Sequence, residues 1–286
     1  MRVSVEIESR YVANISYNKL LDPVSDIITL MESMMAGAFG ATTGDQRECC
    51  KRIHAYSWGL HTLVMDVITS LGIENAATRP LVLERFNALN HPAKAALDNL
   101  SAGFDGPLGE EQQATISHVI EAFQSIEHMM TNIWHYSLLR HDMLEYADDE
   151  FDGSVLIHRI RSALRDIMLP EVDTRFCAIG DEKYLSYACG EIARNIRLHA
   201  DVEEARIKVQ EFGYKTDIAI LDRGRGFRAT SDATVEPFWQ SREADPGLGL
   251  GLYLARRHIE GCGGRLQLGS RPGKGTLVKI SLPCLP

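Results

Sequence analysis

The feature that most constrains this chain is a pair of long amphipathic helices that occurs twice in its amino-terminal half. Apolar residues at helical spacing predict helices over residues 11–36 and 46–71, with a glycine-rich break between them. A second pair is predicted over 80–103 and 111–146. Each pair predicts an antiparallel helical hairpin, whose apolar stripe has to be buried against another element.

Landmarks of the two hairpins match at fixed offsets. Pro23 and Pro92 are 69 residues apart, and so are two glycine pairs of the turns, whereas apolar positions of the second helices, such as Ile53 and Val119, match at 66. A three-residue deletion in the second turn would explain the change. The pattern predicts an internal duplication; a coincidence between two amphipathic hairpins is the alternative.

Composition limits the class of protein. The formal net charge of −9 argues against general nucleic-acid binding, which needs a basic surface. No run reaches the roughly 18 apolar residues of a membrane-spanning helix, and the first 20 residues have no signal-peptide core. We therefore expect a cytoplasmic protein whose six cysteines are reduced thiols.

An acidic stretch at 145–152 predicts a domain boundary. We expect two hairpin domains, 1–75 and 80–147, followed by a third domain over 150–286. In the last domain the pattern changes to mixed α and β. Helices are predicted over 153–166, 181–199 and 249–262, and strands over 175–179, 205–211, 216–222, 264–269 and 276–282.

The first chemical motif lies on the predicted helix 181–199. Glu191, Asn195 and His199 are spaced by four and share one helix face. An amide oxygen such as that of Asn195 is a suitable ligand for Mg²⁺, and a carboxylate one turn earlier could act as a base. A solvated polar stripe is the plainer reading of this motif alone.

The second motif, Asp222-Arg-Gly224-Arg-Gly226, follows an apolar strand. A carboxylate at a strand end can accept a hydrogen bond from an adenine amino group, and glycines permit a tight turn. An ordinary glycine turn is the alternative.

The third motif, Gly247-Leu248-Gly249-Leu250-Gly251, opens a predicted helix. Backbone N–H groups at a helix amino terminus favour phosphate. The spacing differs from that of a dinucleotide-binding fingerprint, and the run at 269–276 is not a P-loop.

In this order and spacing, the three motifs resemble the asparagine box and two glycine boxes of the ATP-binding domain of sensor histidine kinases. That superfamily includes gyrase, Hsp90 and MutL. The run Glu236-Pro-Phe238 looks like the aromatic box before the ATP lid, and 263–268 and 273–283 look like the end of the domain. The resemblance covers about 135 residues and implies an α/β sandwich preceded by α-helical hairpins of the four-helix-bundle type.

The resemblance implies ATP and Mg²⁺ as cofactors. Glu191 would match the base-like acidic position, Asn195 the Mg²⁺ ligand and Asp222 the adenine-binding carboxylate. The family often has lysine three residues after the asparagine, where this chain has Leu198. The residues expected around the nucleotide are Asn195, His199, Asp222, Gly224, Gly226, Phe238, Gly247, Leu248, Gly249, Leu250, Gly251 and Thr276.

The hairpins resemble the dimerisation and phosphoacceptor hairpin of the same kinases, whose phosphorylated histidine stands five residues before a proline. Here those positions are Asn18 and Asn87, or Tyr17 if one residue is inserted. Both copies therefore look degenerate. His91 is a possible phosphoacceptor, although a proline next to it predicts a helix start at which His91 caps the helix rather than displays its ring.

Three functions follow from the resemblance. The chain could be an ATP-binding signalling protein without self-phosphorylation, acting through a response regulator or a partner histidine kinase. It could instead be an active kinase that phosphorylates His91 or a partner in trans. A serine kinase of the anti-sigma type shares the ATPase fold, but such kinases lack the hairpins. The hairpins predict either a monomer that mimics the family dimer or a homodimer.

Overall fold

A computed structural model divides the chain into two compact units, residues 1–143 and 144–286. It describes residues 2–78, 81–164, 167, 175–202, 204–228, 235–240 and 247–285. No helix among these described residues has the length and apolar character needed to cross a membrane.

The first unit is helical. Its helices are α1 (Arg2–Met35), α2 (Gly44–Met65), α3 (Leu81–Ser101) and α4 (Glu110–Arg140). A π-helical segment (Asp66–Leu71) and a 3-10 segment (Ile73–Thr78) join the two hairpins. Helix α1 packs against α2 and α4, and α3 packs against the same two helices. The two predicted hairpins thus form a four-helix arrangement within one chain, and each hairpin buries the apolar stripe of the other.

The two turns of the helical unit exchange matching hydrogen bonds. The Gln46 side-chain amide donates to the Gly106 carbonyl at 3.1 Å, and the Gln112 amide donates to the Gly40 carbonyl at 3.4 Å. Each glutamine also accepts from the backbone N–H three residues earlier, at 3.0 Å for Thr43 and 2.9 Å in the second copy. The hairpins are therefore related by a pseudo-twofold arrangement, which supports a duplication.

The glycine φ values and hydrogen bonds of the two turns correspond at an offset of 66, and the predicted offset of 69 for the first turn is wrong. Gly37 and Gly103 have φ of 81° and 74°, and Gly40 and Gly106 have φ of 105° and 107°. The hydrogen bonds of the two turns also correspond at this offset. Since a shift of three residues preserves a helical apolar face, the sequence pattern alone does not separate the two registers.

The prolines consequently do not correspond to each other. At an offset of 66, Pro23 matches Leu89, and Pro92 matches Asp26. Both prolines lie inside their helices rather than in the first turn. The expectation that Pro92 marks a helix start is therefore wrong. Packing of the α3 apolar face offsets the cost of an interior proline, and His91 is an exposed residue in mid-helix.

The second unit has the predicted α/β character. Its elements are β1 (Asp149–Asp152), α5 (Ser154–Ala163), β2 (Cys177–Gly180), α6 (Glu182–His199), β3 (Ala205–Glu211), β4 (Lys215–Asp222), α7 (Gly251–Gly261), β5 (Arg265–Arg271) and β6 (Gly275–Pro283). Strands β3-β4-β6-β5 form an antiparallel sheet, and β1 pairs with β2. One face of the sheet and the three helices enclose a single apolar core.

Several boundaries differ from the sequence prediction for local reasons. Strand β1 occupies the acidic stretch, where low β-propensity gives no signal. Helix α4 ends at Arg140, six residues early, and Asp142 follows with φ of 50°. Helix α7 begins at Gly251 because Gly249 has φ of 71°. The end of the predicted helix 153–166 lies outside the described residues.

Candidate functional site

Asp222 and Thr276 lie side by side at one end of the sheet. They are paired residues of β4 and β6, and they share the face that carries the buried Ile218 and Ile220. The Asp222 side chain is 2% exposed. Its Oδ1 accepts from the backbone N–H of Gly224 at 2.9 Å and from that of Thr276 at 3.2 Å. Burial raises the pKa of this carboxyl, although the two amide hydrogen bonds act in the opposite direction.

The glycine turn after Asp222 is packed against backbone on two sides. A Cβ on Gly224 would lie 2.1 Å from the Ala200 carbonyl oxygen, and one on Gly226 would lie 2.1 Å from that of Arg271. Gly226 also has φ of 55°. These close approaches explain why both positions are glycine.

Arg225, between these glycines, connects the turn to the end of α6. Its backbone N–H donates to the Ala200 carbonyl at 3.0 Å, and its guanidinium donates to the His199 carbonyl. A second guanidinium nitrogen lies 3.4 Å from His199 Nδ1. The motif on α6 and the motif after β4 are thereby held together, and Arg225 is a residue that the sequence motifs did not single out.

Helix α6 presents the predicted polar stripe at different depths. Asp181 caps its first turn by accepting from the Tyr184 N–H at 3.2 Å. Glu191 is 5% exposed, whereas Asn195 and His199 are half-buried. A nearly buried glutamate is unlike a solvated helix face, which was the plainer reading of this motif.

The third motif meets the first at the start of α7. A Cβ on Gly251 would lie 2.4 Å from Glu191 Oε2, so the glycine lets the helix begin directly against this carboxylate. Leu248 and Leu250 are buried and anchor the loop, while Gly247 and Gly249 have φ of 82° and 71°. The loop therefore presents backbone rather than large side chains next to Glu191.

The segment 235–240 supports the glycine loop. A Cβ on Gly249 would lie 2.5 Å from the Trp239 carbonyl oxygen, and the Gln240 amide donates to the Gly247 carbonyl at 2.8 Å. Phe238 is half-buried with φ of 64°, an uncommon conformation for a residue with a side chain. The sequence identified Phe238, but it did not identify Trp239 or Gln240, whose roles depend on contacts across a turn.

All predicted nucleotide residues thus belong to the second unit. The structure brings Glu191 to Gly251 and Asp222 to Thr276. Among the described residues, no group of three His, Cys, Asp or Glu side chains is placed to hold a metal ion. His91 is exposed, Asn18 is exposed and Asn87 is half-buried, all in the helical unit. The side chain of Tyr17 lies outside the described part of the chain.

Comparison with known proteins gives a family match for part of the second unit. Residues 180–286 match the family described as histidine kinase-, DNA gyrase B-, and HSP90-like ATPase. No protein of curated function matches the chain by sequence.

Solved structures of histidine kinases are similar in fold. The Acinetobacter baumannii histidine kinase AdeS has a TM-score of 0.50 and 19% identity, over 69% of this chain and 98% of that one. Full-length ShkA in complex with AMPPNP has a TM-score of 0.51 and 18% identity, over 71% of this chain and 46% of that one. A mycobacterial sensor histidine kinase, MprB, is 24% identical over 49% of this chain and 99% of that one, with a TM-score of 0.42. Residues 180–286 therefore match the ATPase family of histidine kinases, DNA gyrase B and HSP90, and the fold of the chain is similar to that of solved histidine kinases.

Proposed function

We propose that this chain is an ATP-binding, histidine-kinase-type protein of cytoplasmic two-component signalling. It lacks a phosphoacceptor at the usual position and acts through a response regulator or a partner histidine kinase. The observation that carries the proposal is the meeting of the buried Glu191 with the glycine loop at Gly251. This meeting occurs in a domain whose family consists of ATPases.

The residues of the second unit fit adenine nucleotide. Asp222 is a buried carboxylate that can accept from an amino group, and its Oδ1 is fixed by two backbone amides. Thr276 adds a hydroxyl beside it. The amino end of α7 offers backbone N–H groups and the positive end of a helix dipole to phosphate. ATP would supply the phosphoryl group.

Asn195 is the proposed Mg²⁺ ligand. It is half-buried one helical turn after Glu191, and an amide oxygen suits this hard cation. Glu191 is the proposed base. Leu198, which is 38% exposed, stands where the family often has lysine, so we expect one phosphate contact to be weaker at that position.

The helical unit supports loss of the usual phosphoacceptor. At the corrected register Asn18 corresponds to Glu84, and Asn87 corresponds to Leu21. Neither pair contains a histidine, and amides are poor nucleophiles. The helical unit is therefore proposed as a docking element for a response regulator rather than as a site of self-phosphorylation.

An active kinase that phosphorylates His91 is the second candidate. The observation that favours it is the exposure of His91 in the middle of α3, where a continuous helix displays the ring to solvent. Incubation with labelled ATP, with and without response regulators, separates the candidates. Acid-labile label that is lost in His91→Ala would support the second candidate. Nucleotide binding without label on the chain supports the first.

Nucleotide binding is tested by replacing Asp222 with Asn. The variant loses a charged acceptor, and we expect ADP affinity to fall by roughly tenfold or more. Calorimetry measures the affinity, with Asp149→Asn, an exposed residue of β1, as the matched control. Equal affinity in the wild type and in Asp222→Asn would remove Asp222 from the site.

We also propose that the chain is a monomer that mimics a kinase dimer. The reciprocal contacts of Gln46 and Gln112 within one chain support this, because they complete a four-helix arrangement without a partner. Light scattering at micromolar concentration should give a mass near 31.9 kDa. A stable dimer built on residues 11–71 would contradict the proposal.

A further inference from the structure

A cluster of aromatic rings surrounds His258 near the end of α7. His258 is fully buried. Tyr184 of α6 stacks on it, with ring centroids 4.8 Å apart and planes 18° apart, and Tyr187 meets it edge-on at 5.3 Å. The Tyr146 hydroxyl lies 2.9 Å from His258 Nδ1. Burial raises the pKa of Tyr146, so the phenol stays protonated where it is hydrogen-bonded to the imidazole.

Two further contacts attach the segment of Tyr146 to the same helices. A Cβ on Gly261, the last residue of α7, would lie 2.3 Å from the Tyr146 ring, so only glycine leaves room for the ring at this position. The next N–H along the chain, that of Ala147, donates to Asp181 Oδ2 at 3.2 Å. Asp181 is also the residue that caps α6. The segment 146–147 therefore contacts the end of α7 and the start of α6.

These are the two helices that carry the candidate nucleotide site. Helix α6 contributes Glu191 and Asn195, and α7 begins at Gly251 against Glu191. His258 is seven residues after Gly251, or about 10 Å along a rigid helix. The position of α7 on α6 is thus fixed at one end by the contact of Gly251 with Glu191 and at the other end by the rings around His258.

We infer that Tyr146 is a positioning residue for nucleotide binding, which it supports by holding α7 on α6 through His258. The inference rests on the proposed function, because the ligand of the positioned loop is adenine nucleotide. Tyr146 lies three residues after the boundary between the helical unit and the second unit. A displacement of this segment would therefore make the glycine loop at 247–251 less ordered. The residues proposed to bind nucleotide would stay the same.

The test uses the full chain with Tyr146→Phe, which keeps the ring and removes the hydrogen bond to His258. Hydrogen–deuterium exchange of amides 247–254, measured without nucleotide, should become roughly three- to tenfold faster, the scale of one hydrogen bond. ADP affinity should weaken by a similar factor. Tyr214→Phe is the matched control because this tyrosine is 73% exposed on the β3–β4 turn. Tyr146→Ala should have a larger effect than Tyr146→Phe.

Gly261→Ala gives an independent test, because it leaves both Tyr146 and His258 unchanged. Its methyl group should displace the Tyr146 ring and speed exchange at 247–254, whereas in a Tyr146→Ala background it should have no further effect. Unchanged exchange in both Tyr146 variants, or an equal effect of Gly261→Ala in both backgrounds, would overturn the inference. If the wild-type chain bound no ADP, the proposed function would fail, and the exchange data would still decide the role of Tyr146.

Discussion

The two units of this molecule differ in how strictly their structures determine the residue at each position. In the helical unit, equivalent interior positions hold chemically different residues: Ser57 corresponds to Phe123, and Val24 to Asn90, and all four are buried. In the second unit, which is the nucleotide-binding unit of the proposed function, four glycines approach backbone closely. A Cβ on any of them would lie within 2.5 Å of a carbonyl oxygen: Gly224, Gly226, Gly249 and Gly275.

The difference teaches what each unit requires from its residues. A helical interior needs an apolar face of the right total volume, and many combinations of side chains provide it. Interlocked loops need a specific residue wherever two backbones meet. We therefore expect the helical unit to tolerate exchange of core residues and the nucleotide-binding unit to be sensitive at single glycines.

The largest effect is expected for Gly226→Ala. Its φ of 55° disfavours a side chain, and the new Cβ would lie 2.1 Å from the Arg271 carbonyl oxygen. We expect destabilisation of the nucleotide-binding unit by roughly 3 kcal/mol or more. Urea unfolding followed by Trp239 fluorescence measures it, in a background where the other two tryptophans are phenylalanine.

Gly213→Ala is the matched control for that prediction. Gly213 has φ of 63°, but a Cβ there would meet nothing within 4 Å. Only the conformational cost of about 1–2 kcal/mol should appear. Equal destabilisation by the two substitutions would show that close backbone approach is not what makes this unit sensitive.

The second-largest effect is expected at low pH, where protonation of Asp217 should destabilise the nucleotide-binding unit. This carboxylate is 5% exposed on the outer face of the sheet, where Lys279 lies 2.7 Å away, Lys215 3.0 Å away, and the Ser281 hydroxyl donates at 2.6 Å. Burial alone would raise the pKa of Asp217, but these partners outweigh it and lower the pKa below the ordinary value of an aspartate. The depressed pKa stabilises the fold above pH of about 4, and this contribution is lost as pH falls further.

The measurement is urea unfolding at several pH values, again with Trp239 as the probe. Stability of wild type should fall more steeply below about pH 4 than that of Asp217→Asn, which has no carboxylate to protonate. Parallel pH curves for the two proteins would assign the acid sensitivity to other groups.

Much of the nucleotide-binding unit was predictable because its motifs are local. Strand β3 was predicted at its observed bounds, Glu191 lies on the expected helix, and Asp222 lies at the end of the expected strand. Arg225 and Gln240 were not predictable, since their partners lie at the end of α6 and across a turn. A side chain that donates a hydrogen bond to a carbonyl distant in the sequence produces no periodic sequence pattern.

The helical unit was predictable in its elements but not in its register. Apolar spacing predicted four helices, and the structure has them. Pro23 and Pro92 suggested an offset of 69, yet the hydrogen bonds of Gln46 and Gln112 establish 66. Helical periodicity repeats after three or four residues, so only contacts between the two turns distinguish the registers.

A smaller effect is expected when Gln46 or Gln112 is replaced. Unlike the apolar core residues of the helical unit, these two residues should not tolerate substitution. Both are buried, and each satisfies an N–H of its own helix start and carbonyl groups of the opposite turn. Gln46→Ala and Gln112→Ala should each cost about 1–2 kcal/mol. Thermal unfolding followed by circular dichroism compares them. A large difference between the two variants would break the pseudo-twofold relation between the hairpins.

The smallest effect is expected when equivalent core residues are exchanged between the hairpins. Met34 and Leu100 are both fully buried and are 66 residues apart, next to the two turns. The double variant Met34→Leu with Leu100→Met keeps the composition and the total volume of the interior. It should therefore change stability by less than about 1.5 kcal/mol, even though Met34→Ala alone should cost about 2–5 kcal/mol through the cavity that it leaves. Urea unfolding of the three proteins makes the comparison. If the exchange cost as much as the truncation, side-chain shape rather than apolar pattern would specify this interior, and the contrast between the two units would not hold.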